Sequence, residues 1–227
     1  MGGIVTTTRA MDSAKRLLGL LANQQFVLLL VLIAMVAFFT FNNPIFFSND
    51  VFANVLLDWG PLVLIAVGET FVIISGGIDL SVGANVGFSG IIAAFVMQNM
   101  TTNHHQGETL TLIVGVLVAM AVGGGVGLLN ALLITQARIV PFIATLVMLG
   151  AAGGMTIVLT GGAPIAGGPE NAILLSVPKY GPFSLPGIIV VVIVTILGLF
   201  LHAARFGRYT YAIGSNAFAA VMKACRK

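Results

Sequence analysis

Six apolar stretches divide the chain, at about 24–41, 56–75, 82–98, 110–134, 139–160 and 186–204. Each comes close to the about 20 residues, with about 17–25 tolerated, that a helix needs to cross the hydrocarbon core of a bilayer. Between the second and third lies "GGIDLSVG", Gly76 to Gly83, a polar break in an otherwise continuous apolar segment. Two spans could meet there in a tight hairpin. Alternatively, one span could be broken at membrane depth to line a polar path.

Composition fixes the broad class. Of the 227 residues 58% are hydrophobic and only 7% charged, and the mean hydropathy is +1.08. Soluble domains carry about 25% charged residues, so this chain cannot cover itself with a water-compatible surface. An all-α polytopic membrane bundle of about six transmembrane helices is expected. A pI near 9.4 does not indicate nucleic acid, because the basic residues flank apolar runs, as membrane topology requires. The single cysteine, Cys225, excludes an internal disulfide. The first span follows Arg9, Lys15 and Arg16 and continues into "FFTFNNP" without a cleavage site, which reads as an uncleaved signal anchor.

Charge decides between hairpin and broken span. With a hairpin and the N-terminus inside, Arg9, Lys15, Arg16, Arg138, Arg205, Arg208, Lys223, Arg226 and Lys227 lie inside, and only Lys179 of the ten Lys and Arg residues lies outside. A single broken span reverses everything after it and places six of the ten outside. The positive-inside rule selects the hairpin, with both termini cytoplasmic and 99–109 and 161–185 outside. Gly76-Gly77 can close one helix in a left-handed cap, and Asp79 or Ser81 can cap the next. Pro61, Pro141 and Pro186 all read as first-turn residues. A helix over 61–75 spans only about 22 Å, so the turn is expected to sit somewhat below the inner surface.

Candidate chemistry is sparse. Gly83/Gly87, Gly123/Gly127 and Gly150/Gly154 are small-xxx-small pairs that suit close helix packing. "GGGVG" at 123–127 lacks the preceding strand of a dinucleotide site. Glu69 lies within a span and is either functional or a hydrogen-bonded tie between helices, the latter being the plainer reading. Asp79 reads as a helix cap before it reads as a ligand contact. His104-His105 has no third ligand and reads as part of a solvated outer loop. No Walker A sequence or nucleophile elbow occurs, so no enzyme, cofactor or metal site is expected. "RFGRYTYAIGSNAFAAVMKA", Arg205 to Ala224, opens with two arginines, passes a Gly-Ser-Asn turn at 214–216 and ends in a short helix-forming run. It suits a knob for a soluble partner or a membrane-surface helix equally well.

"GETFVIISGGIDLSVGANVGFSG" (68–90), "VPFIATLVMLGAAGGMTIVLTGGAPI" (140–165) and "RFGRYTYAIGSNAFAA" (205–220), in that order, resemble the inner-membrane permease of sugar-type ABC importers, the ribose, xylose, arabinose and galactose group. The resemblance implies a multi-pass protein of the bacterial inner membrane. It would pair with a second permease subunit, rest on two cytoplasmic ATP-binding cassette subunits, and receive sugar from a periplasmic or lipid-anchored binding protein. It makes Gly76, Gly77, Asp79, Ser81 and Gly83 the family's motif turn. It also makes Gly207, Arg208, Tyr211, Gly214, Asn216, Ala219 and Ala220 the ATPase-coupling loop. After Asn216 the chain departs from the pattern, lacking the acidic residues and carrying Ala224 where glycine is expected. Family members continue for several more spans. Residues 1–227 are therefore expected to be one incomplete permease domain, with 205–227 its cytoplasmic coupling loop and tail, inactive alone. A neutral sugar calls for an uncharged polar and aromatic path, and Asn85, Phe88, Asn130 and Thr145 are candidates by chemistry, with Glu69 beside them. The rivals are an ion-coupled secondary transporter using Glu69 and Asp79, and a membrane fragment without a pathway.

Overall fold

The computed structural model describes residues 24–102, 107–165, 168–170, 179–180 and 183–224. It is helical, apart from a two-residue antiparallel ladder pairing Lys179 with Ser184 and Tyr180 with Phe183. Among the described residues, six helices are long and apolar enough to cross a membrane: α1 (Gln24–Asn42), α2 (Asn49–Ile74), α3 (Val82–Thr102), α4 (Glu108–Thr135), α5 (Pro141–Thr160) and α6 (Leu185–Ala203). A seventh helix, α7 (Arg205–Ala224), follows.

The chain divides between Phe52 and Ala53 into two compact units. In the first, α1 buries none of its residues. A 3-10 helix, Pro44–Phe47, follows, capped by the Asn43 side chain, which accepts from the Ile45 amide at 3.1 Å. The Phe39 and Phe46 rings lie 5.3 Å apart between centres, tilted by 31°.

The second unit is organised around α3, which packs chiefly on α4 and then on α5. A Cβ at Gly115 would strike the Met97 side chain, one at Gly123 would lie 3.8 Å from Ser89, and Asn130 reaches Ser81. Residue numbers rise along α4 as they fall along α3, so the two helices are antiparallel. Gly153 on α5 faces Ala84, and Thr145 faces Leu80, so α5 runs parallel to α3. Gly60 on α2 meets Val190 on α6, and Gly187 meets Leu56, making that pair parallel too. These directions are those of successive membrane crossings.

The hairpin reading of "GGIDLSVG" holds. α2 and α3 are separate helices, and Pro61 and Val86 line one cavity. Collinear halves would hold those residues about 37 Å apart at 1.5 Å per residue.

Three expectations need correction. Pro61 lies inside α2 and not at its start. A proline there forfeits one backbone hydrogen bond, yet the adjacent Gly60 is buried against Val190 Cγ2, where a Cβ would stand at 3.2 Å. The resulting 26-residue helix is about 39 Å long, so the shortness inferred for 61–75 disappears. Of the predicted glycine pairs only Gly123 meets a neighbouring helix; Gly83, Gly87, Gly127, Gly150 and Gly154 face open space. The seam of α4 is instead the buried face Thr111, Gly115, Val126 and Asn130. Finally, residues 205–215 are helical where a loop is expected, and α7 breaks only at Asn216, whose backbone is extended (φ −161°, ψ 96°). His104 and His105 lie outside the described residues.

Candidate functional site

The break between α2 and α3 starts with Gly76, whose φ of +84° suits glycine alone among ordinary residues. Its amide and that of Gly77 return to the carbonyls of Ile73 and Val72 at 3.0 Å each, closing α2. Asp79, Leu80 and Ser81 follow without a helical partner for their amides, and each of these three amides is met by a side chain. Glu69 Oε1 accepts from Asp79 N at 3.3 Å, Thr145 Oγ1 accepts from Leu80 N at 3.2 Å, and Asp79 Oδ1 accepts from Ser81 N at 2.7 Å. Ser81 is 1% exposed; its hydroxyl donates to Asp79 Oδ1 at 2.7 Å and accepts from Asn130 Nδ2 at 2.8 Å.

Side chains from α2, α4 and α5 thus clamp one irregular segment. An amide left unpaired at such depth costs about 1–3 kcal/mol. Irregular backbone inside a membrane protein is tolerated where protein groups satisfy it. Asn130 lies five residues before the end of α4, so the turn is recessed by about 7 Å from that helix end. The expected position below the inner membrane surface rests on a short helix over 61–75, a premise that the 26-residue α2 removes.

Beside the clamp, α2 and α3 line an open cleft of about 460 Å³. Glu69, Asp79 and Asn85 are its polar members; Leu64, Ile65, Val72, Val82 and Val86 form apolar wall. Asn85 donates to the Gly123 carbonyl at 3.1 Å. Glu69 Oε2, Asn85 Oδ1 and Asn130 Oδ1 are buried without a hydrogen-bond partner. Of the predicted path residues, Glu69 and Asn85 therefore share this cavity. Asn130 and Thr145, 5% and 1% exposed, act as clamps on the turn, and Phe88 stands apart, half-buried on α3. Among the described residues no group of three or more His, Cys, Asp or Glu side chains could hold a metal ion.

The second element of interest is α7. The Arg208 guanidinium donates to the Ala203 carbonyl at 3.1 Å and so caps the end of α6. Gly207 lies so close to Leu201 that a Cβ would overlap its carbonyl, and Gly214 stands in the same relation to the carbonyl of Ile74. The Phe206 ring lies 5.7 Å from Phe200 and 6.1 Å from Phe71. α7 is thus seated on the last turn of α2, directly before the clamped break. The helix leaves Phe206, Tyr209, Tyr211 and Ile213 exposed. Ala219 and Ala220 lie on helical backbone beyond the Asn216 break. The sequence carried no sign of the contacts that Gly60, Gly115, Phe206 and Gly214 make; only the glycines themselves hinted at close approach.

Residues 51–224 match the family described as branched-chain amino acid transport system / permease component. The chain belongs to that family. Among curated relatives, the ribose import permease protein RbsC of Escherichia coli (strain K12) is 34% identical over 201 residues, covering 87% of this chain and 59% of its own length. RbsC of Bacillus subtilis (strain 168) is 35% identical over 189 residues, covering 79% and 54%. The autoinducer 2 import system permease protein LsrC of Yersinia enterocolitica is 31% identical over 194 residues, covering 86% and 51%. The chain spans between half and three fifths of the length of these relatives. No solved structure matches it. The family description names branched-chain amino acids while these relatives are named for ribose and autoinducer 2, so membership fixes architecture and not cargo. With six apolar helices and this kinship, the chain is a multi-pass protein of the bacterial inner membrane.

Proposed function

We propose that the chain is the membrane-spanning permease subunit of a binding-protein-dependent, ATP-driven importer of a monosaccharide or related polyol. ATP is hydrolysed on separate cytoplasmic cassette subunits, which dock on α7. A second permease subunit completes the membrane assembly, and an external sugar-binding protein delivers the cargo. The observation that carries the reading is the seating of α7. It meets the end of α2 through Gly214 and Phe206, and it leaves Tyr209 and Tyr211 exposed. A push on α7 reaches the α2 terminus and the clamped turn through the backbone contact at Gly214. Glu69, which an ion-coupled carrier would use as its proton site, spends Oε1 on the Asp79 amide, as befits a structural tie.

The test is cross-linking in a Cys225→Ala background. The chain is reconstituted with the ATPase and binding protein of a ribose importer. Cysteines at Tyr211 and Ser215 should cross-link to the ATPase, and one at Thr102 should not. Quenching of labels at Tyr211 and Ser215 by lipid-borne spin labels, without any cross-link, would make α7 a membrane-surface helix and defeat the docking assignment.

A further inference from the structure

We propose that α2, α6 and α7 swing as one body against α3, α4 and α5 about the break at 76–79, and that Glu69 is the latch that sets the width of the cleft between them. The swing stands apart from the importer reading, which supplies only a source for the push on α7.

Each body is held by its own contacts. In one, α2 meets α6 where Gly60 touches Val190 and Leu56 touches Gly187, and it meets α7 at the Ile74 carbonyl and between the Phe71 and Phe206 rings. Arg208 and Phe206 join α7 to α6. In the other, α3 packs on α4 and α5, and its Asn85 and the preceding Ser81 are bonded to α4. Between α2 and α3 lies the open cleft, walled by Leu64, Ile65, Val82 and Val86. Lipid tails are as apolar as such walls, so no hydrophobic force fixes their spacing. A polar bond has to. Among the described residues, Glu69 makes the only side-chain hydrogen bond that leaves α2 between Ala53 and Ile74; Thr70, by contrast, bonds the Ala66 carbonyl of its own helix. That bond ends on the joint itself. Glu69 Oε1 ties the Asp79 amide back to α2 at 3.3 Å, while the Asp79 carboxylate ties forward to Ser81 at 2.7 Å. The backward tie is the longer and so the weaker. Gly76, with its φ of +84°, supplies the backbone freedom of a hinge on the α2 side. Because α7 rests through Gly214 on the last turn of α2, a force on α7 moves the body that Glu69 latches.

The test is double electron–electron resonance on the full chain in nanodiscs, Cys225→Ala, with spin labels on paired cysteines. Val55 on α2 and Asn99 on α3, both exposed, report across the two bodies. Val55 stands well before the Ile74 end of α2, about 28 Å along the helix, so a swing of about 5° carries it about 2.5 Å. Val55 with Val191 on α6, and Asn99 with Leu110 on α4, report within one body each, again from exposed positions. With Glu69 intact, the Val55–Asn99 distances should already spread more widely than those of either within-body pair. Glu69→Ala should raise the population outside the main peak by about tenfold, the worth of one hydrogen bond. Glu69→Gln keeps an oxygen for the Asp79 amide and should retain the original distribution. Thr145→Val cuts a tie of the same turn inside the α3–α5 body and should leave the Val55–Asn99 distances alone. The proposal is overturned by equal spread across and within the bodies, by an unchanged distribution in Glu69→Ala, by an equal change in Glu69→Gln or Thr145→Val, or by an equal change in the within-body pairs. No ATPase enters the measurement, so its failure leaves docking on α7 standing; the cross-link at Ser215 tests docking by itself.

Discussion

Replacing Gly214 with alanine sets two physical effects against each other. Alanine favours a helix over glycine by about 1 kcal/mol, and Gly214 sits on helical backbone in α7. The new Cβ, however, would overlap the Ile74 carbonyl. A backbone oxygen at the end of a packed helix cannot swing aside as a side-chain tip can, so overpacking of about 1–3 kcal/mol is expected. The propensity gain acts on α7 whether or not it is seated. The clash acts only on the seated form. The unseated population should therefore rise by roughly 5- to 150-fold, while helix content stays level or increases. Limited trypsin digestion reads this directly, because Arg205 and Arg208 lie exposed on α7 and cleavage through an opened state tracks its population. Cleavage at Arg138, in the turn between α4 and α5, is the internal reference. Gly198→Ala is the control, since that position on α6 faces open space. An unchanged ratio of α7 to Arg138 cleavage in Gly214→Ala, or an equal rise in Gly198→Ala, would refute the seating argument.

The clamp and the topology give further expectations. Thr145→Val keeps shape but leaves Leu80 N unpaired, and should cost about 1–3 kcal/mol in detergent unfolding. Thr145→Ser should restore most of it, and Thr156→Val, whose hydroxyl bonds Ala152 within its own helix, should cost less. Gly115→Ala meets only the flexible Met97 side chain and should be milder than Gly214→Ala in the same unfolding assay. Arg138 holds a left-handed φ of 55°, so Arg138→Gly should relieve about 1–2 kcal/mol of strain, seen as a higher unfolding midpoint. Single cysteines at Thr102 and Ser215 should react from opposite faces of sealed vesicles; same-side reaction would overturn the alternating crossings.

The six spans were legible because each needs only a long apolar run, and the Gly76 cap because a left-handed helix end has a residue signature. Pro61 misled because the local rule placing proline in first turns yielded to packing at Gly60. The glycine pairs misled because a small-xxx-small pattern looks the same whether or not a helix faces it within this chain. For α7, the Gly-Ser-Asn signal correctly marked a break, displaced to the single residue Asn216, but obscured the helix before it. The clamp was illegible for a different reason. Its partners are separated by 10, 49 and 65 residues, and no periodicity or spacing rule reports which distant threonine will meet which amide. Glu69 could be singled out by its cost in a membrane, yet its partner could not.

The same separations impose an order on biogenesis. Each helix satisfies its own backbone as soon as it enters lipid, but the Leu80 amide does not, because its acceptor is Thr145. Sixty-five residues remain to be made after Leu80 before that hydroxyl exists, which takes about 3–13 s at about 5–20 residues per second. Asn130 arrives earlier, 49 residues after Ser81. Throughout that interval only water can serve the Leu80 N–H. The hairpin of α2 and α3 must therefore wait with its tip at an aqueous face until α4 and α5 close around it and Thr145 replaces the water. Synthesis stalled between residues 81 and 145 would leave the tip wet and open to a surface protease, and the arrival of α5 would end that exposure.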